Sequence, residues 1–379
     1  MPKIALPDSA TAVTAAPSGA IYAAGSNSIS VLNPVDSGVP DVKTLPNAGK
    51  FEDSLPLVSL ASGDKSKGPL VGFRDVRTAV FVALSKKDVV PKESEVEFDQ
   101  DVLDCCSENG IAIIYLASGE ILALNNQGEI CHKFKASKAK NAKLVVLSSK
   151  KSSFKFLVIA DDGSEYFSYG GSFSTKSGFA LDEKLFIQMN HQKHAAIQSI
   201  TAINAANGHK VGVIFTNGVA TTIHFPTSCG VPIVSKFIAS ISASKKTCFV
   251  PESGFLVDTC TRKVLAQPES NDADNSAPEE KTIVELVLRD AKYGVTLRRT
   301  QITDGISTKT KIVNIIAAYG SNAVVIQTSK GSLVWCALPE APARVSSVAA
   351  CVGSETMLAA SASYESPQDQ AQKAKAAWG

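Results

Sequence analysis

An all-β chain, folded as a single β-propeller of about seven four-stranded blades with a short C-terminal helical tail, is what the sequence predicts. Two observations carry the propeller. Short apolar strands are joined by Gly- and Asn-bearing turns, and that phrase recurs at intervals of about 40–55 residues, so that seven units fit the length of 379. The clearest stretch is Val102 to Phe134, VLDCCSENGIAIIYLASGEILALNNQGEICHKF. Its apolar opening breaks at Glu108-Asn109-Gly110, and Ile111 to Leu116 follows as a strand. Ala117-Ser118-Gly119 then turns the chain into Ile121–Leu124, and Asn126-Gln127-Gly128 into Ile130–Phe134. Consecutive antiparallel hairpins of this kind make one four-stranded sheet, which is one blade.

The same phrase recurs at Tyr22–Val31, Leu70–Val82, Phe156–Phe167, Val211–Ile223 and Ala323–Trp335. A less regular unit spans Lys246 to Leu265, with a turn expected near Thr261-Arg262 and strands at Ile283–Leu288 and Val295–Ile302. The turn glycines Gly119, Gly163, Gly218 and Gly331 stand 44, 55 and 113 residues apart, the last gap accommodating two units. A blade buries its faces only against its neighbours, so a closed ring supplies the core.

Two segments leave this rhythm. The stretch 267–281 is polar, acidic and flanked by prolines, and reads as a flexible surface insertion. At the end, Ser366 caps, Pro367 suits the first helical position and Asp369 complements the helix dipole. Ala371, Ala374 and Trp378 then share one face, a partner-docking tail over 364–379 behind a propeller of 1–363.

Composition narrows the function classes. A hydrophobic share of 44% with 20% charged residues suits a globular core, and a net charge of +2 leaves polyanion binding to local patches. The eight cysteines are scattered through apolar runs without a Cys-x-x-Cys pair, as in a reduced compartment; Cys105 and Cys106 face opposite sides of their strand. No apolar leader, no run near the ~18 residues of a membrane span and no Asn-x-Ser/Thr sequon is present, which predicts a soluble intracellular protein without a membrane partner.

The chain resembles a degenerate WD-repeat-type propeller over residues 1–363. It departs from that pattern: no Gly-His opens a blade, no Trp-Asp closes one, and Trp335 is followed by Cys336. The resemblance implies that residues 1–15 complete the last blade by supplying its missing strand. The layout is also similar to the propeller subunits of the small-subunit processome, the nucleolar pre-ribosomal assembly. The likeness lies in an irregular early blade, an insertion before the last blade and the closing IVNIIAAYGSNAVVIQTSKGSLVWCALP.

Two charge runs of opposite sign are the most distinctive candidates. Glu93, Glu95, Glu97, Asp99, Asp101, Asp104 and Glu108 form seven acids with no base among them. The first five alternate and would share one face of a solvated outer strand, deterring edge pairing. Such a flat strand does not wrap a hard cation. From Cys131 to Ala160, Lys133, Lys135, Lys138, Lys140, Lys143, Lys150, Lys151 and Lys155 occur without any acid. They read either as lysine-rich loops that partly neutralise the acidic strand, or as sequence-tolerant phosphate contacts to RNA.

Chemical motifs are missing. His191 and His194 have an i, i+3 spacing without a third metal ligand, so no metal site is expected. Gly63–Gly68 begins like a phosphate loop, but Pro69 stands where the lysine belongs. No nucleophile elbow or zinc-protease helix occurs. The expectation is a non-enzymatic scaffold within a large intracellular complex, binding protein subunits, with RNA contact through the lysines, no cofactor and no small-molecule substrate. A nucleolar small-subunit rRNA-processing assembly is the most specific form. The alternatives are a cytosolic adaptor or vesicle-trafficking propeller, and a propeller enzyme with a channel-centred site.

Overall fold

The computed structural model describes residues 3–4, 6, 9–15, 20–25, 28–33, 40–46, 58–59, 70–83, 92–150, 152–174, 176–182, 184–188, 195–205, 208–226, 231–239, 246–266, 279–302, 306, 309–318, 320 and 322–338. The chain divides into two units, Met1–Ala337 and Leu338–Gly379, and all the strands below belong to the first.

The opening strand, β1 (Lys3–Ile4), is claimed by the last sheet. Blade 1 holds β2 (Ala12–Ala15), β3 (Ile21–Ala24), β4 (Ser28–Asn33) and β5 (Asp41–Pro46). Blade 2 holds β6 (Val58–Ser59), β7 (Leu70–Asp75), β8 (Thr78–Ala83) and β9 (Lys92–Glu97). Blade 3 holds β10 (Val102–Glu108), β11 (Ile111–Leu116), β12 (Glu120–Leu124) and β13 (Ile130–Lys135). Blade 4 holds β14 (Asn141–Lys150), β15 (Ser153–Asp161) and β16 (Tyr166–Ser174), with its outer position shared by β17 (Gly178–Leu181) and β18 (Leu185–Ile187). Blade 5 holds β19 (Ile197–Ile203), β20 (His209–Phe215) and β21 (Val219–Phe225), its outer position split between β22 (Ile233–Val234) and β23 (Ile238–Ala239). Blade 6 holds β24 (Thr247–Phe249), β25 (Leu256–Ala266), β26 (Glu279–Arg289) and β27 (Thr296–Gln301). Blade 7 holds β28 (Ile312–Ala318), β29 (Ala323–Thr328) and β30 (Leu333–Ala337), and β1 completes it by pairing Lys3 with Val334 and Ile4 with Leu333.

The ring closes. Innermost strands lie against their neighbours from β2 to β6, β10, β14 and β19; β20 meets β24, which meets β28, and β28 returns to β2. Strand alternation explains why. In β3, Ile21 and Ala23 pack towards blade 7 with Leu333 and Trp335, while Tyr22 and Ala24 pack towards blade 2 with Val80 and Val82. Each apolar cluster is thus shared by two adjacent sheets. Phe81 and Phe73 join Ile114 and Leu122 across the gap between blades 2 and 3, and Phe156 and Phe167 join Tyr115 and Ile113 between blades 3 and 4. Cys105 faces blade 2 and Cys106 faces blade 4, as strand alternation requires.

Successive antiparallel strands put the first–second and third–fourth turns at one end of every blade. The second–third turns and the links between blades lie at the other end, here called the connection face. Where described, the link crosses the preceding blade's turn and bonds to it: Ala136 N donates to Gly119 O, and Ala10 N to Gly331 O. Gly119 has φ +85°, and a Cβ there would meet the Ser137 backbone at 2.6 Å. Only glycine lets the crossing chain pass this close.

The expected turn near Thr261-Arg262 is absent. β25 runs unbroken through both, pairing Thr261 with Val284 and Arg262 with Ile283, and the chain turns earlier, between Val250 and Phe255. Residues 279–281, expected in the flexible insertion, begin strand β26; residues 267–278 lie outside the described part. So do residues 339–379, with Ala371, Ala374 and Trp378 of the expected docking helix. Among the described residues there is no α-helix.

Replacing Gly119 by Ala is expected to cost about 3 kcal/mol or more in chemical denaturation, from left-handed strain plus the clash. Gly110→Ala is the control. Its φ is +77° but nothing lies within 4 Å of the added Cβ, so about 1 kcal/mol is expected. Equal losses would remove the crowding argument.

Candidate functional site

The acidic run splits in three. β9 ends at Glu97, so only its first part is the expected solvated outer strand, where Glu95 is exposed and pairs with Arg74 at 2.8 Å. Asp99 and Asp101 lie in the link to β10 rather than continuing that strand face, and Asp101 binds Arg77 at 2.7 Å. Asp75, at the adjacent turn, accepts from Arg77 N and the Thr78 hydroxyl; these bonds, the Arg77 amide first, hold its carboxyl below the usual range. This set occupies the connection face between blades 2 and 3.

Asp104 and Glu108 are buried on β10, the innermost strand of blade 3, and aim at blade 4. Asp104 Oδ2 accepts from Leu144 N at 2.7 Å, and its Oδ1 meets Lys143 Nζ at 3.3 Å. Glu108 Oε1 accepts from the Ser149 hydroxyl at 3.0 Å. Innermost strands have an unpaired backbone edge, and Asp104 satisfies part of that of blade 4, whereas Glu108 takes a side-chain hydroxyl. Burial pushes both carboxyls above the ordinary range, against the pull of Lys143 on Asp104 and of the Ser149 hydroxyl on Glu108. Periodicity places a residue on one face of a sheet but says nothing of the sheet's radial position, so the sequence does not separate Asp104 from Glu95.

The lysine run is dispersed for the same reason. The chain crosses from the rim to the channel and back within it. Lys133 and Lys135 lie on the outer strand β13, and Lys138 and Lys140 on the link over the connection face; all four are exposed. Lys143 is drawn inside to Asp104. Lys150 ends β14 at the opposite face, and Lys151 lies outside the described residues. Lys133, Lys135, Lys138 and Lys140 are therefore the exposed members of the run's first half, two on the outer strand and two on the link. Phe134 stacks on Phe179 with ring centroids 6.4 Å apart, Phe154 and Phe156 are buried, and no ring stands free among these lysines.

The channel mouth on the opposite face is a cavity of about 350 Å³, lined mainly by small and apolar residues of β2, β10, β14 and β19. Its two acids are occupied: Glu108 by Ser149, and Glu252 by Gly320 N at 2.6 Å. Among the described residues no group of three or more His, Cys, Asp or Glu could hold a metal, and no helix is long and apolar enough to cross a membrane. His191, His194 and Gly63–Gly68 lie outside the described part.

No family model and no curated protein matches this chain. Among solved structures, the β-propeller domain of Cps50 (Swd1) from Myceliophteria thermophila superposes with a TM-score of 0.57 at 9% identity, covering 89% of this chain and 99% of that one. BamB from Moraxella catarrhalis superposes with a TM-score of 0.48 at 13% identity, covering 89% of this chain and 98% of that one. BBS1N, solved in complex with ARL6DN, gives 0.48 at 10%, covering 88% and 92%. The first likeness supports the propeller fold read from the sheet topology.

Lys143→Met strands the Asp104 carboxylate. It is expected to cost about 3 kcal/mol at pH 7.5 in denaturant unfolding. A carboxyl whose folded pKa is raised favours folding only while protonated, so this loss should shrink as pH falls through the folded value. Adding Asp104→Asn should recover much of it. A pH-independent loss without recovery would contradict the pairing.

Proposed function

We propose that this chain is a non-catalytic propeller that scaffolds a large intracellular complex. One observation carries the reading: the two acids of the channel mouth are engaged in holding blade to blade, while other charge is displayed outside. A catalytic channel needs convergent groups free to meet a substrate. Here Glu108 and Glu252 bind protein donors, and the remaining described lining is mostly small or apolar. The connection face carries Asp75, Glu97, Asp99 and Asp101, with Arg77 held among them, and Lys138 and Lys140 on the following link. A bipolar surface of this kind selects and orients a partner of opposite pattern.

Within that class, the pre-ribosomal, nucleolar form is the specific proposal. It is supported by the resemblance of the sequence layout to processome propellers and by four exposed lysines within eight residues, Lys133, Lys135, Lys138 and Lys140, which suit sequence-tolerant contact with RNA phosphates. Affinity capture of the tagged full chain, followed by mass spectrometry and RNA sequencing, tests both levels. Small-subunit precursor proteins and pre-rRNA are the expected catch. Recovery of a defined complex without them would remove the nucleolar form, and recovery of no stoichiometric protein would remove the scaffold. Changing Lys133, Lys135, Lys138 and Lys140 together to Glu should abolish RNA retention and flatten its salt dependence. Unchanged retention would clear these positions of that role.

A further inference from the structure

A second cavity, about 430 Å³, lies between blades 4 and 5. Its origin is a run of small residues. On the side of blade 4 that faces blade 5, cross-strand pairs set Lys155 opposite Ser172, Leu157 opposite Gly170 and Ile159 opposite Ser168. β16 therefore presents serine, glycine and serine where the opposing blade brings His209 and Phe225, themselves a cross-strand pair. The two sheets part towards the opposite face, leaving an apolar wall of Leu157, Leu185 and Phe225. The Asp182 carboxylate lies against Gly170, where any side chain would collide with it.

Three features point to what the cleft takes. Ser168 is 1% exposed, and its hydroxyl has no hydrogen-bond partner among the described residues. A buried hydroxyl left unpaired costs about 1–3 kcal/mol, which a bound acceptor would relieve. Lys155 is exposed at the mouth with no carboxylate partner among the described residues. His209 feels it: burial first, then the Lys155 charge, holds the imidazole below its ordinary value. An anion bound beside Lys155 would offset that charge and favour the protonated imidazole.

From this juxtaposition we infer that the cleft between blades 4 and 5 is a peptide-recognition site. It takes a carboxylate-bearing segment of a protein partner, whose acidic side chain meets Lys155, His209 and the Ser168 hydroxyl while an adjoining apolar side chain packs on Leu157, Leu185 and Phe225. The inference rests on the interaction-propeller reading and supplies a recognition chemistry for it. Ser168 donates to the carboxylate, and Lys155 supplies the compensating charge. The charged groups facing His209 in the cleft are Lys155 and Asp182. A bound carboxylate favours protonated His209, so affinity rises as pH falls, until the peptide's own carboxyl, half protonated at about 4.3, loses its charge.

The probe is the capped tripeptide phenylalanyl-glutamyl-phenylalanine amide, with its glutaminyl twin as the uncharged control, titrated against the full chain with methyl-labelled leucine. The glutamyl peptide should shift the methyls of Leu147, Leu157 and Leu185 and bind about tenfold tighter than its twin. Its affinity should rise about threefold from pH 7.5 to 5.5, and that rise should vanish in His209→Gln. Lys155→Gln should bring the glutamyl peptide down to the level of the twin, and Asp182→Asn should leave it bound as tightly or tighter. Methyl spectra unchanged away from the cleft verify that each variant folds. Equal affinity of the two peptides, shifts confined to other blades, or no shift at 10 mM peptide would overturn the inference. Capture of partners by Lys155→Gln at the level of the unaltered chain would leave the scaffold standing and sink the cleft alone.

Discussion

Every central strand here has apolar residues on both faces, and a single four-stranded sheet has nothing of its own to cover either. Burying a large apolar side chain stabilises by about 1.5–3 kcal/mol, and each blade gains that only from the neighbours on its two sides. Tyr22 is fully buried because blade 2 lies on one side of β3, and Ile21 because blade 7 lies on the other. The constraint is satisfied everywhere only if the last sheet meets the first. β1 achieves this by pairing with β30, while Gln327 Nε2 donates to Ala10 O at 2.8 Å.

Polar groups reinforce the same joints. Asp104 and Glu108 reach from blade 3 to blade 4, Asn141 Nδ2 from blade 4 to Ile197 O of blade 5 at 3.1 Å, and Glu252 from blade 6 to Gly320 of blade 7. Asp104, Asn141 and Glu252 thereby satisfy a backbone group of the neighbouring blade, and Glu108 takes a side-chain hydroxyl. Interior carboxylates used in this way are structural, and their raised proton affinity follows from burial rather than from poise for proton transfer. On the proposed reading, partners are left the surface: the charged connection face and the gap between blades 4 and 5 where small residues line the sheet.

How much of this was legible in the sequence depends on strand position. The second and third strands of the blades, such as Ile111–Leu116 with Glu120–Leu124, are buried on both sides and read as apolar hairpins around a glycine turn. First and outer strands are short, mixed or charged, and β6 and β22 have two residues each. The Thr261-Arg262 turn was misplaced because Arg262 and Arg299 interrupt the apolar pattern only to bind Glu285, at 2.8 and 3.1 Å. Exposed arginines closing over one buried glutamate within a long hairpin look like a loop in one dimension. The cleft between blades 4 and 5 left a faint trace, the Ser-Tyr-Gly-Gly-Ser of β16, which alternation alone does not distinguish from an ordinary strand.

Native-state hydrogen exchange tests the closed ring most directly. If neighbouring sheets are the sole cover for one another, the amides of the second and third strands in all seven blades should exchange through one shared opening. They should lose protection together as denaturant is added, with Ile4 protected alongside Leu333. Blades that open one after another at separate free energies, with Ile4 exchanging freely, would contradict the account.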